Sequence, residues 1–440
     1  MGRFPLNRTL LYGLALFASL LSQGILYPAL AQSLDQSKDD CGSGDPMRMI
    51  PACTTIFHDP AVTQGDRAIA SNNLAAAYVT RGNKYLSAGQ FDLAIADYKS
   101  VMPFDQKAGA AGLVSAYITR GNSHLSKDEF DLAIADYKSA MPLDQKAATI
   151  NLASAYVMRG NSHLSKHEFD LAIADYKSAM PVKQKVATNN LALAYLARGD
   201  SHLSKGEFDL AVADYKTAMP LDQKAATDNL AAAYVTRGNS HLSKGEFDLA
   251  IADYKSAMPF NQKVATNNLA LAYVRRGDSH LSKGEFDLAI ADYKTAAPFN
   301  QKVATDALAS AFIARGNDHF KKKQYEPAIS DFEEALKNDP QSGKQNLSVV
   351  YATIANSDYE KNHYEAAIKN YDKAIAFNPK EISAFIGRGL TLEQMGRTKD
   401  ALSSFERAKE IDPNNSHVLA AIKRLGGSLS PAASAPRKGG

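Results

Sequence analysis

The dipeptide Arg-Gly recurs along this chain with its glycine at Gly82, Gly121, Gly160, Gly199, Gly238, Gly277 and Gly316, each 39 residues after the last. A second landmark, the alanine at the centre of DLAIADY, falls at Ala94, Ala133, Ala172, Ala211, Ala250 and Ala289. It continues at Ala328 and Ala367 and takes a final step of 34 residues to Ala401. A fixed period of this length marks one supersecondary unit copied about nine times. Such a unit is too small to bury a core of its own, so the copies must stack.

Within a unit the apolar residues fall on two helical faces. In the fifth, Leu230, Tyr234, Gly238, His241 and Leu242 step by three and four, and Gly245 then offers a helix stop. Phe247, Ala250, Ile251, Tyr254, Ala257 and Met258 form a second stripe that Pro259 closes, because proline has no amide hydrogen and clashes inside a helix. The fold expected is an all-α solenoid of about nine helix pairs.

The run Tyr234-x2-Arg237-Gly238-x2-His241, followed by Ala250-x3-Tyr254 and Ala257, resembles the tetratricopeptide repeat signature, and the last two units end in Asn378-Pro379 and Asp412-Pro413 as that family does. The resemblance covers residues 67–413 and is most similar to exported alphaproteobacterial members. It implies a right-handed superhelix. Two departures stand out. Arginine replaces the family's leucine at Arg237 and its equivalents, and the period exceeds 34 by five residues. Those residues lie in stretches such as LDQKAATDNLAAAY, rich in helix formers, with Asp222 or Asn261 placed to cap the start. We expect a first helix longer by about 7.5 Å, with a loop as the alternative.

The ends differ from the array. Arg3 and Arg8 precede the apolar run TLLYGLALFASLL, and Ala29-Leu30-Ala31 offers a cleavage site, so residues 1–31 read as a signal peptide, with an uncleaved anchor as the alternative. Residues 32–66 hold the two cysteines of the chain, Cys41 and Cys53. In an exported protein so close a pair favours a disulfide over metal or catalysis, free thiols being the alternative. The segment around DPMRMIPACTTIF resembles a degenerate second helix able to cap the array. Residues 414–425 supply a capping helix at the other end, and 426–440, dominated by Gly, Ser, Pro and Ala, read as a disordered tail.

Fifty basic and 47 acidic side chains give a formal charge of +3. Interspersed signs and near neutrality provide no electrostatic drive toward nucleic acid, and no membrane insertion is expected once the signal is removed. No phosphate loop, zinc spacing or acyl-transfer motif appears, and a ladder of identical faces does not converge unlike groups on one point, so the chain reads as neither an enzyme nor a holder of any cofactor or metal.

Three ladders of side chains remain. The histidines at 124, 163, 202, 241, 280 and 319 read as packing residues, since Tyr85 and Leu392 take their place elsewhere; Asp358, in the eighth unit, has no sequence explanation. Arg237 and Asp253 lie at matching levels of the two antiparallel helices and read as a brace. The third ladder is Asn83, Asn122, Asn161, Asp200, Asn239, Asp278, Asn317 and Asn356. By the family resemblance this position lines the concave groove, where asparagine clamps a peptide backbone, an amide being both donor and acceptor. Val79, Val157 and Val235 one turn earlier would add an apolar row, and serines such as Ser243 a hydroxyl row one turn later. A merely solvated polar row is the alternative. The function expected is an exported scaffold or adaptor, periplasmic or secreted, binding protein or peptide segments. A structural or self-associating spacer of the cell envelope is the rival.

Overall fold

The computed structural model describes residues 26–426, with side-chain surroundings from residue 34 onward. Among the described residues every regular element is a helix. They divide into two compact units, one holding the chain to Lys205 together with Ala213–Ala226, the other holding Gly206–Val212 and everything from Thr227. Both are built in the same way.

The first unit begins with α1 (Leu26–Cys41), α2 (Pro46–His58) and α3 (Gln64–Ser87). It continues through α4 (Phe91–Val101), α5 (Gln106–Leu125), α6 (Phe130–Ala140), α7 (Gln145–Ser165), α8 (Phe169–Ala179) and α9 (Gln184–Ser204). Helices α10 (Phe208–Ala218) and α11 (Gln223–Ser243) are divided between the units. The second unit then holds α12 (Phe247–Ala257), α13 (Gln262–Ser282), α14 (Phe286–Ala296), α15 (Gln301–Lys321), α16 (Tyr325–Asn338), α17 (Pro340–Glu360), α18 (Tyr364–Phe377), α19 (Ile382–Gln394), α20 (Thr398–Ile411) and α21 (Ser416–Arg424).

The five extra residues are helix, not loop. First helices such as α7 and α13 run 21 residues, while α19, which closes the 34-residue step, runs 13. Second helices shorten from 14 residues in α20 to 11 in α8 and α12. A gain of eight and a loss of three leave the five. Asp105, Asp144, Asn261 and Asn300 cap the long helices by accepting from the backbone N–H three residues on, as Asp222 does for Ala225. After each long helix the chain turns through a residue of positive φ. Gly245 takes this role at 76°, and so do the non-glycines Asp128, His167, Lys323 and Asn362 at about 60°.

Packing explains the invariant-looking glycine of the Arg-Gly pair. A Cβ placed on Gly238 would lie 2.7 Å from Cε1 of Tyr254, so the second-helix tyrosine ring rests directly on the first helix's backbone. The buried stripes are those read from the period: Ala250, Ile251, Tyr254, Leu269, Ala272 and Tyr273 lie together in the second unit. At the chain's start Cys41 and Cys53 are joined in a disulfide with 4.8 Å between Cα atoms. Around it Met49, Ile56, Val62, Leu74 and Ala77 form a cluster of α1, α2 and α3. At the other end Val418, Ala421 and Ile422 of α21 cover Leu392 and Phe405. Helix α1 runs through the Ala29-Leu30-Ala31 sequence; the rest of the presumed signal and residues 427–440 of the presumed tail lie outside the described residues.

Candidate functional site

The asparagine ladder is held from inside the repeat. Tyr98 donates its hydroxyl proton to Oδ1 of Asn83 at 2.7 Å, and Tyr137, Tyr176, Tyr254 and Tyr371 do the same to Asn122, Asn161, Asn239 and Asn356 at 2.6–2.8 Å. Asp200 and Asp278 accept in the same way from Tyr215 and Tyr293 at 2.6 and 2.8 Å. A carboxylate cannot donate, so the tyrosine is the donor in this arrangement, and the amides are oriented with oxygen inward. The ladder residues stay exposed except Asn317, which is half-buried and faces Phe332, where no hydroxyl exists. The expected double role of the amide is thus narrowed. Its acceptor is occupied by the tyrosine hydroxyl, which leaves the Nδ2 groups of Asn83, Asn122, Asn161 and Asn239 as the outward donors. Asn161 receives a second donor, Asn190 of the following long helix, at 3.1 Å.

The apolar row beside the ladder is displaced inward. Val157 is buried with Ala153, Ala179 and Ala187, and Val79 and Val235 are half-buried, Val235 packing on the core of its unit. The eight-to-ten-ångström approach of neighbouring helices draws a branched side chain at this position into the repeat junction. The hydroxyls of Ser126 and Ser243 bond to the carbonyls of Ser123 and Ser240 in their own helices.

The arginine brace exists and is larger than the sequence suggested. Arg237 Nε and Nη2 donate to the two oxygens of Asp253 at 2.9 and 2.5 Å, and Asp253 is 4% exposed. Arg81, Arg120, Arg159, Arg198, Arg276 and Arg315 repeat this fork on Asp97, Asp136, Asp175, Asp214, Asp292 and Asp331. In every repeat of this list after the first, the remaining Nη1 reaches 28 residues back to an exposed aspartate on the preceding second helix: Arg159 to Asp131, Arg237 to Asp209, Arg276 to Asp248. Each guanidinium also lies over the ring three residues back on its own helix, Arg237 at 5.5 Å from the Tyr234 centroid. The carboxylate fork raises the already high arginine pKa, and burial raises the neighbouring Tyr254 hydroxyl to about 12.

The histidines pack between the helices as expected, but in a polar setting. They are half-buried, and Nδ1 of His124, His163, His241 and His280 lies 2.6 Å from the glutamate five residues on, while Nε2 lies 3.9 Å from the buried aspartate. Glu246 is the partner of His241. In the eighth repeat Ile354 and Asn370 replace arginine and aspartate, and Asn370 donates to Asp358 at 2.9 Å. Asp358 is thus explained: the histidine position supplies the acceptor once the aspartate is gone. Arg388 in the ninth repeat bonds Ser404 and Asp372 instead. Among the described residues no group of His, Cys, Asp and Glu could hold a metal ion.

A feature that the sequence reading passed over lies on the second helices. Leu93, Leu132, Leu171, Leu210, Leu249 and Leu288 are 49–53% exposed. All but Leu171 border recurring open cavities of about 340 to 610 Å³ at the repeat junctions, one of them lined by Leu210, Arg237, His241, Lys244 and Leu249. The signal was present in DLAIADY, where this leucine falls outside the buried stripe.

The fold and the ladder define a class first, that of all-α arrays of helix pairs presenting a repeated polar face. Family models for the tetratricopeptide repeat match residues 309–342 and, under a second model of the same description, 192–224, 270–297 and 382–415; a TPR repeat model matches 355–396. Over these stretches the helix pairs match the tetratricopeptide repeat. A comparison with curated proteins finds no match. Among solved structures the chain is similar to the P58(IPK) TPR domain, at 16% identity over 80% of this chain and 97% of that one, with a TM-score of 0.23. It is also similar to the Arabidopsis OM64 TPR domain, at 26% identity over 28% and 96%, TM-score 0.21. A third is YrrB, described as a TPR protein with an unusual peptide-binding site, at 19% identity over 48% and 97%, TM-score 0.23.

Proposed function

We propose that the protein is an exported scaffold that holds extended protein segments along the exposed polar ladder of its first helices, without catalysing a reaction. The observation that carries this reading is the tyrosine–asparagine pair. A buried hydroxyl orients each exposed amide so that Nδ2 faces outward, a donor matched to a peptide carbonyl and indifferent to side-chain identity. Repetition along the array supplies many weak, equivalent contacts to one segment. Asp278 changes one rung from donor to acceptor, which favours partners with a free amide or a cation at that point.

Export is supported by the Cys41–Cys53 bond, a feature of oxidising compartments, and by the basic and apolar start of the sequence. Among the described residues no helix is long and apolar enough to cross a membrane.

The test uses Asn122→Asp, Asn161→Asp and Asn239→Asp together. Aspartate keeps the acceptor for the tyrosine, as Asp200 does, and deletes the outward donor. Crosslinked partners recovered from the native cell envelope should be lost while helicity and melting stay unchanged. An unaltered partner set sinks the proposal.

A further inference from the structure

Arginines in this chain are committed to internal partners, with one exception. The seven brace arginines fork onto buried aspartates. Arg48, Arg388, Arg397, Arg407 and Arg424 each meet an acidic side chain, and Arg67 meets the Asp59 carbonyl. Among the described residues Arg275 is the arginine that meets no acceptor. It is exposed on α13, three residues before Asp278 of the ladder. In the other repeats the same position is uncharged, as at Thr119, Met158, Thr236 and Ala314.

Asp278 is the nearest acid in the sequence, yet the two charges stay apart. At the same spacing Arg397 bonds Asp400 at 2.6 Å and Arg407 bonds Glu410, since residues three apart share a helix face. Asp278 differs because its Oδ1 accepts the Tyr293 hydroxyl proton at 2.8 Å. That tyrosine cannot yield, for its ring is buried and rests on the backbone at Gly277. The carboxylate is therefore held toward the second helix, with Oδ2 left for solvent. The brace drains neither charge, because Arg276 is already committed to Asp248 and Asp292. The sixth repeat thus presents a fixed anion and an uncommitted cation side by side, where the fifth presents Thr236 and Asn239.

We infer, resting on the ladder reading above, that Arg275 and Asp278 select the held segment by charge, and that the matching segment carries an acidic and a basic residue on one face. The acid meets the Arg275 guanidinium and the base meets Asp278 Oδ2. Along the helix the two positions stand about 4.5 Å apart, three residues at 1.5 Å each. Residues two apart in an extended segment project to the same side about 6.6 Å apart, a difference that the long arginine stem spans. The asparagine rungs hold any backbone, and this rung adds a choice of sequence and fixes the register.

A peptide of Ser, Thr and Ala, blocked at both ends to remove terminal charge, tests the inference. Two central positions, separated by one residue, carry Asp and Lys, Asp and Gln, Asn and Lys, or Asn and Gln. Binding of each to the full chain is read by fluorescence anisotropy with an uncharged dye, as a ratio to the neutral form. The Asp and Lys form should bind about tenfold tighter than the neutral one, the size of two solvent-exposed ion pairs, and the singly charged forms should fall between. The gain should shrink as salt is added. Arg275→Thr should abolish the gain from Asp and keep that from Lys. Asp278→Asn, which keeps an acceptor for Tyr293, should abolish the gain from Lys and keep that from Asp. Both variants carry residues that the fifth repeat already holds at these places, and circular dichroism checks their fold. Four peptides that bind alike overturn the inference and leave the ladder reading standing, as do gains that survive both substitutions. A chain that binds none of the four sinks both.

Discussion

Tyr254 and Asn239 meet at 2.7 Å, a hydroxyl from the buried face of one helix gripping an exposed amide on the other. The contact joins stability and function in one residue pair. Removing Asn239 leaves a buried hydroxyl without an acceptor, at a cost of about 1–3 kcal/mol. Asn239→Ala should therefore lower stability in chemical denaturation, while Asn239→Asp should be close to neutral. The seventh repeat, with Phe332 facing Asn317, provides the complementary control: Asn317→Ala should cost little.

Arg237 should be the costlier loss. Its fork neutralises Asp253, which is 4% exposed, and breaking a buried pair from one side costs about 3 kcal/mol. Arg237→Met is expected to lose stability of that order, and Arg237→Lys to recover only part, since an ammonium cannot fork. Asp209→Asn, whose side chain is 91% exposed, should change stability by about 0.5 kcal/mol at most. Hydrogen exchange along α11 and α12 resolves the difference locally.

Alkaline pH should unfold the array early. Burial raises the hydroxyls of Tyr137, Tyr176, Tyr254 and Tyr371 to about 12, against 10 when unfolded. The unfolded chain therefore releases these protons first as pH rises. Their contribution is complete below pH 10 and disappears between about 10 and 12. Melting followed against pH, with tyrosinate absorbance as the second signal, should show these hydroxyls ionising with unfolding; free titration in the folded state would contradict the burial argument.

Lys323 occupies a left-handed turn at φ 60° that Gly245 fills elsewhere. Left-handed backbone costs a side chain about 1–2 kcal/mol, which the greater freedom of unfolded glycine partly offsets. Lys323→Gly should raise stability by about 0.5–1 kcal/mol. Asp128→Gly should gain less, because aspartate tolerates this conformation better. Thermal melting of the two variants ranks them.

Period and stripe were enough to foresee the helix pairs, the longer first helix, its caps at Asp222 and Asn261, and the Arg237–Asp253 brace, because all of these depend on residues close in sequence or on a face that repeats. What escaped was set by junctions between repeats. The reach of Arg237 to Asp209, 28 residues back, follows from how one pair stacks on the next. So does the burial of Val157 beside Ala179. The polar setting of His241 was missed because Tyr85 and Leu392 at the same place suggest apolar surroundings, while Glu246 comes within reach only once the turn has closed. Asp358 made sense only beside Asn370.

The two ends differ from everything between them, and that difference has a consequence for how the chain finds its frame. Interior repeats are so alike that any first helix could pack against the wrong second helix with nearly the same contacts, shifted by one whole unit. The disulfide-tied α1–α2 pair packs on α3, and α21 packs on α19 and α20, with residues found nowhere else in the array. Dissimilar ends therefore act as start and stop signals for assembly, and a chain shortened at either end would be prone to slipped or exchanged repeats rather than simple unfolding.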